Sequence, residues 1–559
     1  MTAHPALPWQ TIYDQLQVTV PPLDDAPLGH FVEEHASARP TAIALQYFDR
    51  EISYGELNEQ ANRLANALLS LGTVKGDVVG IHLPNIPQYV IALVACAKIG
   101  CAGSGVSPLM TATEIVHQVS DAGISVLLSL DALIPNSVAK IEAVPACLQH
   151  VIVASAEDYL SQAETRQYNI PGIKCHNYLD TVALSSPTYS QQSMAGNDTM
   201  MVQYTGGTTG QPKGAELSIR SLMYNPLQYS AYSPWTIGGE VVATAFPMFH
   251  GAGLANAIAS LRFGARLLLI PDPRDITHFC DLMRRYPPTR LAAVPSLYQI
   301  LINCPDIANV DFSSLKIANS GAAPLTGSDR QKIEAVIGKH KLSDMFGMTE
   351  TGPVHVCNPP KLARATSVGI PVPGADTRIV DLETGTQEMP AGEAGEIITS
   401  GPQLMKGYLN LPEESAKAMR MWQGKTWMYT GDVGYMDEDG YIYLCDRAKD
   451  MLIVGGYKVF SVEVEDKLQA LDCIATSAVI GTVDAARPGN DIVNLYVELT
   501  PSPGKRDTEE VKAQIIAFCR ENMAPYKVPK LIHIIDQIPL TGVGKVDKKA
   551  LRQTVATRS

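Results

Sequence analysis

The segment Tyr204-Thr205-Gly206-Gly207-Thr208-Thr209-Gly210-Gln211-Pro212-Lys213-Gly214 concentrates the residue types that hold a polyanion. Glycines at 206, 207, 210 and 214 let the backbone approach phosphate oxygens closely, threonines at 205, 208 and 209 supply hydroxyl donors, and Lys213 supplies charge. A glycine-rich surface turn is the bland alternative. The segment does not match the P-loop pattern, because Pro212 stands where Gly207 would need a second glycine followed by Lys and Ser/Thr. It also lacks the GxGxxG of a dinucleotide fold. Other chemistries find no support: His30 and His35 are not spaced as HExxH, and no GxSxG nucleophile elbow occurs. The loop therefore reads as a phosphate cradle of another kind.

The elements that must position such a loop are legible around it. Thr199 to Gln203 reads as a strand leading into the loop. Short apolar runs at Val78 to Leu83, Ile124 to Leu130, Arg266 to Ile270 and Leu291 to Pro295 are bounded by Gly or Pro, as strands buried on both faces of parallel sheets are. Ser53-Tyr54-Gly55-Glu56 has the form of a capping box, with Leu57, Ala61, Leu64, Ala65 and Leu68 following at helical spacing and Gly72 as a stop. From about Pro371 to Gly401 the texture changes to short strands with Gly and Pro turns, which predicts a barrel-like or antiparallel unit. From about Met451 a third texture begins, with strands predicted at Ala475 to Ile480 and Val493 to Leu499 and a polar helix at Thr508 to Asn522. The class is α/β: a large N-terminal domain of two α/β subdomains plus the barrel-like unit, then a small mobile α+β domain. The charged stretch Asp446-Arg447-Ala448-Lys449-Asp450 is the expected hinge, giving domains at 1–446 and 447–559.

Composition bounds the partners. With 559 residues the chain is too long for a single core, and 46% hydrophobic against 18% charged residues is ordinary globular material. A net charge of −13 disfavours sequence-independent binding to nucleic acid or to an anionic membrane surface. The longest apolar run, Tyr89 to Ala97, stops at Lys98, about half of what a bilayer span needs. Ten scattered cysteines without a CxxC pair read as free thiols in a reducing compartment. With no visible signal peptide and no peroxisomal address at the C-terminus, the expected location is cytoplasmic, without stable membrane insertion.

The loop YTGGTTGQPKG resembles the phosphate-binding loop of the adenylate-forming superfamily, which includes acyl-CoA synthetases, amino-acid adenylation domains and beetle luciferases. FPMFHG (246–251), NSGAAPL (319–325), DMFGMTETG (344–352), YTGD (429–432), DRAKDMLIVGGYKV (446–459) and PLTGVGKVD (539–547) stand in that family's order, over about residues 30 to 555. Gly206-Gly207, where many members carry Ser-Gly, is most similar to the fatty-acyl-CoA ligase branch. The resemblance implies roles that residue types alone leave open. Lys545 would be the catalytic lysine bridging carboxylate and α-phosphate, although a lysine on a glycine turn is by itself merely solvated. Glu350 would be a Mg²⁺ ligand, with Thr205 a further candidate, and Thr349 would contact the α-phosphate; alone, the Thr-Glu pair could simply cap a helix. The ATP and AMP contacts implied are Thr205, Gly206, Gly207, Thr208, Thr209, Gly210, Lys213, Gly321, Ala322, Ala323, Asp344, Met345, Phe346, Gly347, Met348, Thr349, Asp432, Arg447 and Lys545. Asp432 would accept from the ribose hydroxyls with Arg447 as its partner, and Phe346 would stack on adenine unless it is core.

His250, structural if read alone, would lie at the mouth between acyl pocket and thiol tunnel. The resemblance places His250, Ala252, Asn256, Gly321, Ala322, Met345, Gly347 and Val354 around the acyl group, and Gly455, Gly456 and Lys458 against CoA, with Lys449 as the pivot. Ala323 resembles the same pocket wall. Amino-acid adenylating relatives carry Asp at position 250, so a free amino acid would meet no counter-charge here. The pocket wall is small or apolar and suits an apolar tail. The expected activity is acid–CoA ligation with Mg-ATP through an acyl-adenylate, for a medium- or long-chain fatty acid. Met345, where many fatty-acyl ligases have Gly, keeps aryl, cinnamate-like or short branched acids open, and transfer to a carrier protein is a further alternative. ATP, CoA and the acid are the expected partners; a homodimer is also an expectation, since such enzymes commonly pair.

Overall fold

The computed structural model describes residues 7–160, 168–189, 191–205, 211–323, 325–455, 457–484, 487, 490–501, 507–540 and 546–556. The chain forms two compact units, one of 1–377 with 399–428 and one of 378–398 with 429–559.

Two large sheets dominate the first unit. The nine-stranded sheet runs, edge to edge, Ile370–Pro371, Val356–Cys357, Leu342–Phe346, Ile317–Gly321, Arg290–Ala293, Val241–Thr244, Arg266–Leu269, Ile43–Tyr47 and Arg50–Ser53. Its six central strands are parallel, and antiparallel pairs close both edges. The eight-stranded sheet runs Gly407–Tyr408, Lys213–Ser218, Thr199–Thr205, Ala102–Gly105, Val78–His82, Val126–Leu130, His150–Ala154 and Lys174–Asn177. Every strand expected from an apolar run falls in a parallel part of these sheets, because helices cover both faces and only continuous apolar strands survive there.

Among the described residues, six helices share one apolar core with both sheets: Leu28–Ala38, Tyr54–Ser70, Pro87–Ile99, Tyr178–Ala183, Ile219–Ser230 and Gly251–Arg262. In Pro87–Ile99 every residue is buried, with Pro at the first turn and Gly100 closing the helix in the left-handed conformation at φ 78°. The apolar run that is too short for a membrane is therefore a central core helix. Its Lys98 is fully buried against Glu33, whose carboxylate faces the ammonium. Ser53 caps the helix Tyr54–Ser70, accepting from the Glu56 N–H at 3.2 Å. The reciprocal half of that box does not form, because the Glu56 side chain turns to Arg50 instead. A complete box stands at Thr111 and Glu114.

Strands Asp376–Val380 and Gly395–Ser400 arise from the glycine- and proline-punctuated stretch and belong to a five-stranded sheet. In the second unit, Ile474–Val483, Asp491–Leu499 and Leu531–Ile534 form a three-stranded sheet packed with Ser461–Leu468 and Thr508–Asn522 around Val464, Leu468, Val479, Leu495 and Ile515. This is the small α+β arrangement expected after Met451.

Candidate active site

In a parallel sheet, loops at the carboxyl ends of the strands converge and form the usual crevice for ligands. Three of the motifs stand at that edge of the nine-stranded sheet. Val241–Thr244 leads to His250, Ile317–Gly321 to Ala322 and Ala323, and Leu342–Phe346 to Gly347, Met348, Thr349 and Glu350. The last two strands are neighbours in register, Gly321 opposite Met345 and Ser320 opposite Asp344. Ala322 holds φ 66°, a left-handed conformation that costs a residue with a Cβ roughly 1 kcal/mol or more. The turn that places Ala323 is thus kept against local preference.

The segment carrying His250 is tied down from behind. Asn85 brackets it, donating to the Phe246 carbonyl at 3.0 Å and accepting from the Met248 N–H at 2.8 Å. Tyr89 donates to the Met248 carbonyl at 2.8 Å, and the buried Gln203 donates to that of Phe249. His250 itself caps the helix Gly251–Arg262, its Nδ1 accepting from the Ala252 N–H at 3.4 Å. That contact leaves the proton of a neutral ring on Nε2. Gly251 packs so closely that a Cβ there would meet Thr349 Oγ1 at 3.3 Å, which brings the His250 and Thr349 motifs together. Asn256 spends its amide on the Ala252 carbonyl of its own helix at 2.8 Å.

The turn after Phe346 is equally constrained. A Cβ on Gly347 would lie 1.9 Å from the Pro353 carbonyl oxygen, so only glycine fits. Thr351 accepts from the Met348 N–H at 3.1 Å, and Asn225 forms a two-point contact with the main chain of Val354, donating at 2.6 Å and accepting at 3.1 Å. Glu350 is buried, its main-chain carbonyl accepting from Met405 at 2.9 Å. Tyr408 donates its hydroxyl to Glu350 Oε1 at 2.7 Å, and burial, followed by the Glu350 carboxylate, pushes that phenol well above its ordinary range. Asp344 faces Arg330 and Asn358. Met345 lies against an apolar cluster that includes Tyr229, Ala259, Val354 and Cys357. Phe346 sits beside the His355 ring, centroids 4.9 Å apart.

The glycine-rich segment is flanked by paired residues: Thr205 stands opposite Lys213 in an antiparallel register, and its hydroxyl donates to the Lys213 carbonyl at 3.4 Å. Gly206, Gly207, Thr208, Thr209 and Gly210 lie outside the described residues, as do Gly456 and Lys545. Lys213 reaches Glu414 at 2.5 Å, and with Lys417 it holds the Glu414 carboxyl down at about 2. Tyr408 and Glu414 have no motif to announce them; they join the site only through contacts made across long stretches of sequence.

In the second unit, Asp432 and Arg447 face each other across an antiparallel pair, Nε to Oδ1 at 3.0 Å, with Asp432 buried. Leu452–Val454 and Tyr457–Val459 form a short hairpin with Lys458 exposed. Gly455 takes φ 61° and donates to Asn490 Oδ1 at 2.6 Å. Lys449 is exposed.

Comparison with known proteins places this arrangement. Residues 32–409 match the family described as AMP-binding enzyme, and residues 463–545 match the AMP-binding enzyme C-terminal domain. A long-chain-fatty-acid–CoA ligase of Bacillus subtilis is 33% identical over 97% of this chain and 97% of its own. The crystal structure of the anthranilate CoA ligase AuaEII with anthranoyl-AMP superposes with a TM-score of 0.84 at 26% identity, covering 96% of this chain and 98% of that one. ATP-bound MatB from Rhodopseudomonas palustris gives 0.81 at 28% identity, covering 95% and 99%.

Proposed function

The chain belongs to the AMP-binding enzyme family, and from that premise we propose the reaction and the part each residue takes in it. It is an AMP-forming acyl-CoA synthetase. A carboxylate oxygen of the acid attacks the α-phosphorus of ATP and pyrophosphate leaves; the CoA thiol then attacks the acyl carbon and AMP leaves. The observation that carries this reading is the convergence of the His250, Gly321–Ala323 and Gly347–Glu350 segments at one sheet edge, with Thr349 against the start of the His250 helix.

The first step joins two anions, so the protein acts mainly by positioning and charge neutralisation. Thr205 to Gly210 and Lys213 cradle the phosphates, Thr349 donates to the α-phosphate, and Lys545 bridges carboxylate and phosphate as charge shifts between them. Gly321, Ala322, Ala323, Asp344, Met345, Phe346, Gly347 and Met348 surround the nucleotide; Asp432, oriented by Arg447, accepts from the ribose. Glu350 and Thr205 suit Mg²⁺, which prefers one or two protein oxygens with phosphate and water completing its shell. Glu350 is buried with one oxygen already oriented by a phenol, so it offers a fixed single carboxylate of that kind. When bound, the ion neutralises phosphate charge.

His250, Ala252, Asn256, Gly321, Ala322, Met345, Gly347 and Val354 line the acid's seat. Met345 and Val354 belong to an apolar cluster, which suits an apolar tail. A medium- or long-chain fatty acid fits the Bacillus subtilis relative; an aryl acid is the second reading, favoured by the likeness to the anthranilate ligase and by the aromatic Tyr229 and Tyr232 in that cluster. Gly455, Gly456 and Lys458 take CoA, and the functional division falls at 1–446 and 447–559, with Lys449 as the pivot of a mobile second domain. The site works in the cytoplasm, as a homodimer. Among the described residues no helix is long and apolar enough to cross a membrane. The test is AMP formation with Mg-ATP over a panel of fatty, branched and aryl acids, with and without CoA. Turnover that needs both acid and CoA is expected; full turnover without CoA would point to another acceptor, and silence with every acid would overturn the ligase reading.

A further inference from the structure

Glu350 and Lys213 reach the site from different sheets, and a single side chain touches both. Tyr408 donates its hydroxyl to Glu350 Oε1 at 2.7 Å, 58 residues away in sequence, while Lys213 Nζ stands 5.1 Å from the centroid of the same ring. The ring is itself firmly placed. Tyr408 pairs with Ala215 on the edge of the eight-stranded sheet, its N–H donates to Ser415 Oγ at 2.7 Å, and the next residue, Leu409, donates to the Gly214 carbonyl at 2.8 Å. Three residues earlier, Met405 donates to the Glu350 main-chain carbonyl at 2.9 Å. One short segment thus holds Glu350 by both its backbone and its carboxylate, and is paired along the strand that begins with Lys213.

A terminal carboxylate torsion is broad when nothing restrains it. A phenol donating to one oxygen fixes that rotation, and the negative face of its ring draws an ammonium toward the same point. We propose that Tyr408 is a positioning residue that sets the Glu350 carboxylate and the Lys213 ammonium in one arrangement for the metal-bearing phosphate end of the nucleotide. This rests on the nucleotide site proposed above.

The two contacts separate by substitution, since Y408F keeps the ring and loses the hydroxyl, whereas Y408L loses both. Calorimetric binding of ATP to the full-length protein, in Mg²⁺ and in EDTA, reads the site without any acid or turnover. Y408F is expected to weaken Mg-ATP about tenfold, the scale of a lost hydrogen bond to a charged group, and to leave ATP in EDTA within about twofold. Y408L is expected to weaken both. Unchanged Mg-ATP affinity in Y408F would overturn the inference, and so would an equal loss in EDTA, which would mark a general folding role. Where Y408F lowers stability, the double variant with E350Q decides: combined losses well below the sum support the coupling, and additive losses refute it. Wild-type protein that binds no Mg-ATP would overturn the nucleotide site and this inference together, while a failure confined to Y408F leaves the nucleotide site standing.

Discussion

Segments 344–354 and 446–459 both carry residues with implied contacts to the reactants, yet they are made in opposite ways. In the first, Gly347 is pressed to 1.9 Å of a carbonyl by any added Cβ, Thr351 caps the turn, Asn225 grips Val354 at two points, and Glu350 is buried under Tyr408. In the second, Arg447, Lys449, Gly455 and Lys458 are exposed on a chain of short strands, and an added Cβ at Gly455 would meet open space. Chemistry at a phosphorus atom needs groups that do not move relative to one another, so that region is over-determined by contacts from other elements. The surface proposed to receive the CoA arm needs room and charge at its rim, and there small exposed residues suffice.

Lys545 belongs by resemblance to the catalytic step, and its loss should give the largest effect. K545A is expected to slow adenylate formation roughly 100- to 1,000-fold while thioester formation from supplied acyl-adenylate stays near wild type; an equal fall in both half-reactions would remove it from the first step. The next variant probes how tightly the 344–354 region is built. G347A is expected to destabilise the protein by about 2 kcal/mol and to cut adenylation more than tenfold, read by melting and by pyrophosphate release. A tolerated alanine would show the turn to be loose.

His355, fully buried beside Phe346, has no hydrogen-bond partner on either ring nitrogen among the described residues, and burial pushes its pKa down to about 3. The unfolded chain takes up that proton below about 6.5 and the folded one does not. Stability should therefore fall as pH drops through 6.5 toward 3, by about 1.4 kcal/mol at pH 5.5 from this group. H355L is expected to flatten that acid limb, as followed by melting against pH; an unaltered limb would assign it to other groups. The smallest change is expected in the open region. G455A should cost about 1 kcal/mol for its left-handed backbone and appear as a several-fold rise in the KM for CoA with adenylation untouched. A loss of adenylation in G455A would erase the contrast between the two regions.

Sequence made the chemistry legible where it sits in contiguous motifs, and made the sheets legible where strands are buried on both faces. Thr508–Asn522 forms over the residues its pattern suggests, because its capping Asp507 and amphipathic spacing are local. Leu291 to Pro295 ends earlier than its apolar run, as Pro295 opens a helix instead of finishing a strand. Tyr408 was illegible for a different reason. Nothing near it in sequence marks it, and its meaning comes from a hydroxyl contact across 58 residues and an ammonium from another strand. The half-formed box at Ser53 shows the same limit in miniature: Glu56 had the right spacing, but Arg50 on the preceding strand offered a charged partner.

The central claim is that the acid is activated as an acyl-adenylate, and the most direct measurement follows the acid's own oxygen. With an ¹⁸O-labelled carboxylate, Mg-ATP and CoA, the oxygen that attacks the α-phosphorus must leave with AMP. One label in AMP and none in pyrophosphate is the expected result. Unlabelled AMP, or label released in inorganic phosphate, would contradict the account.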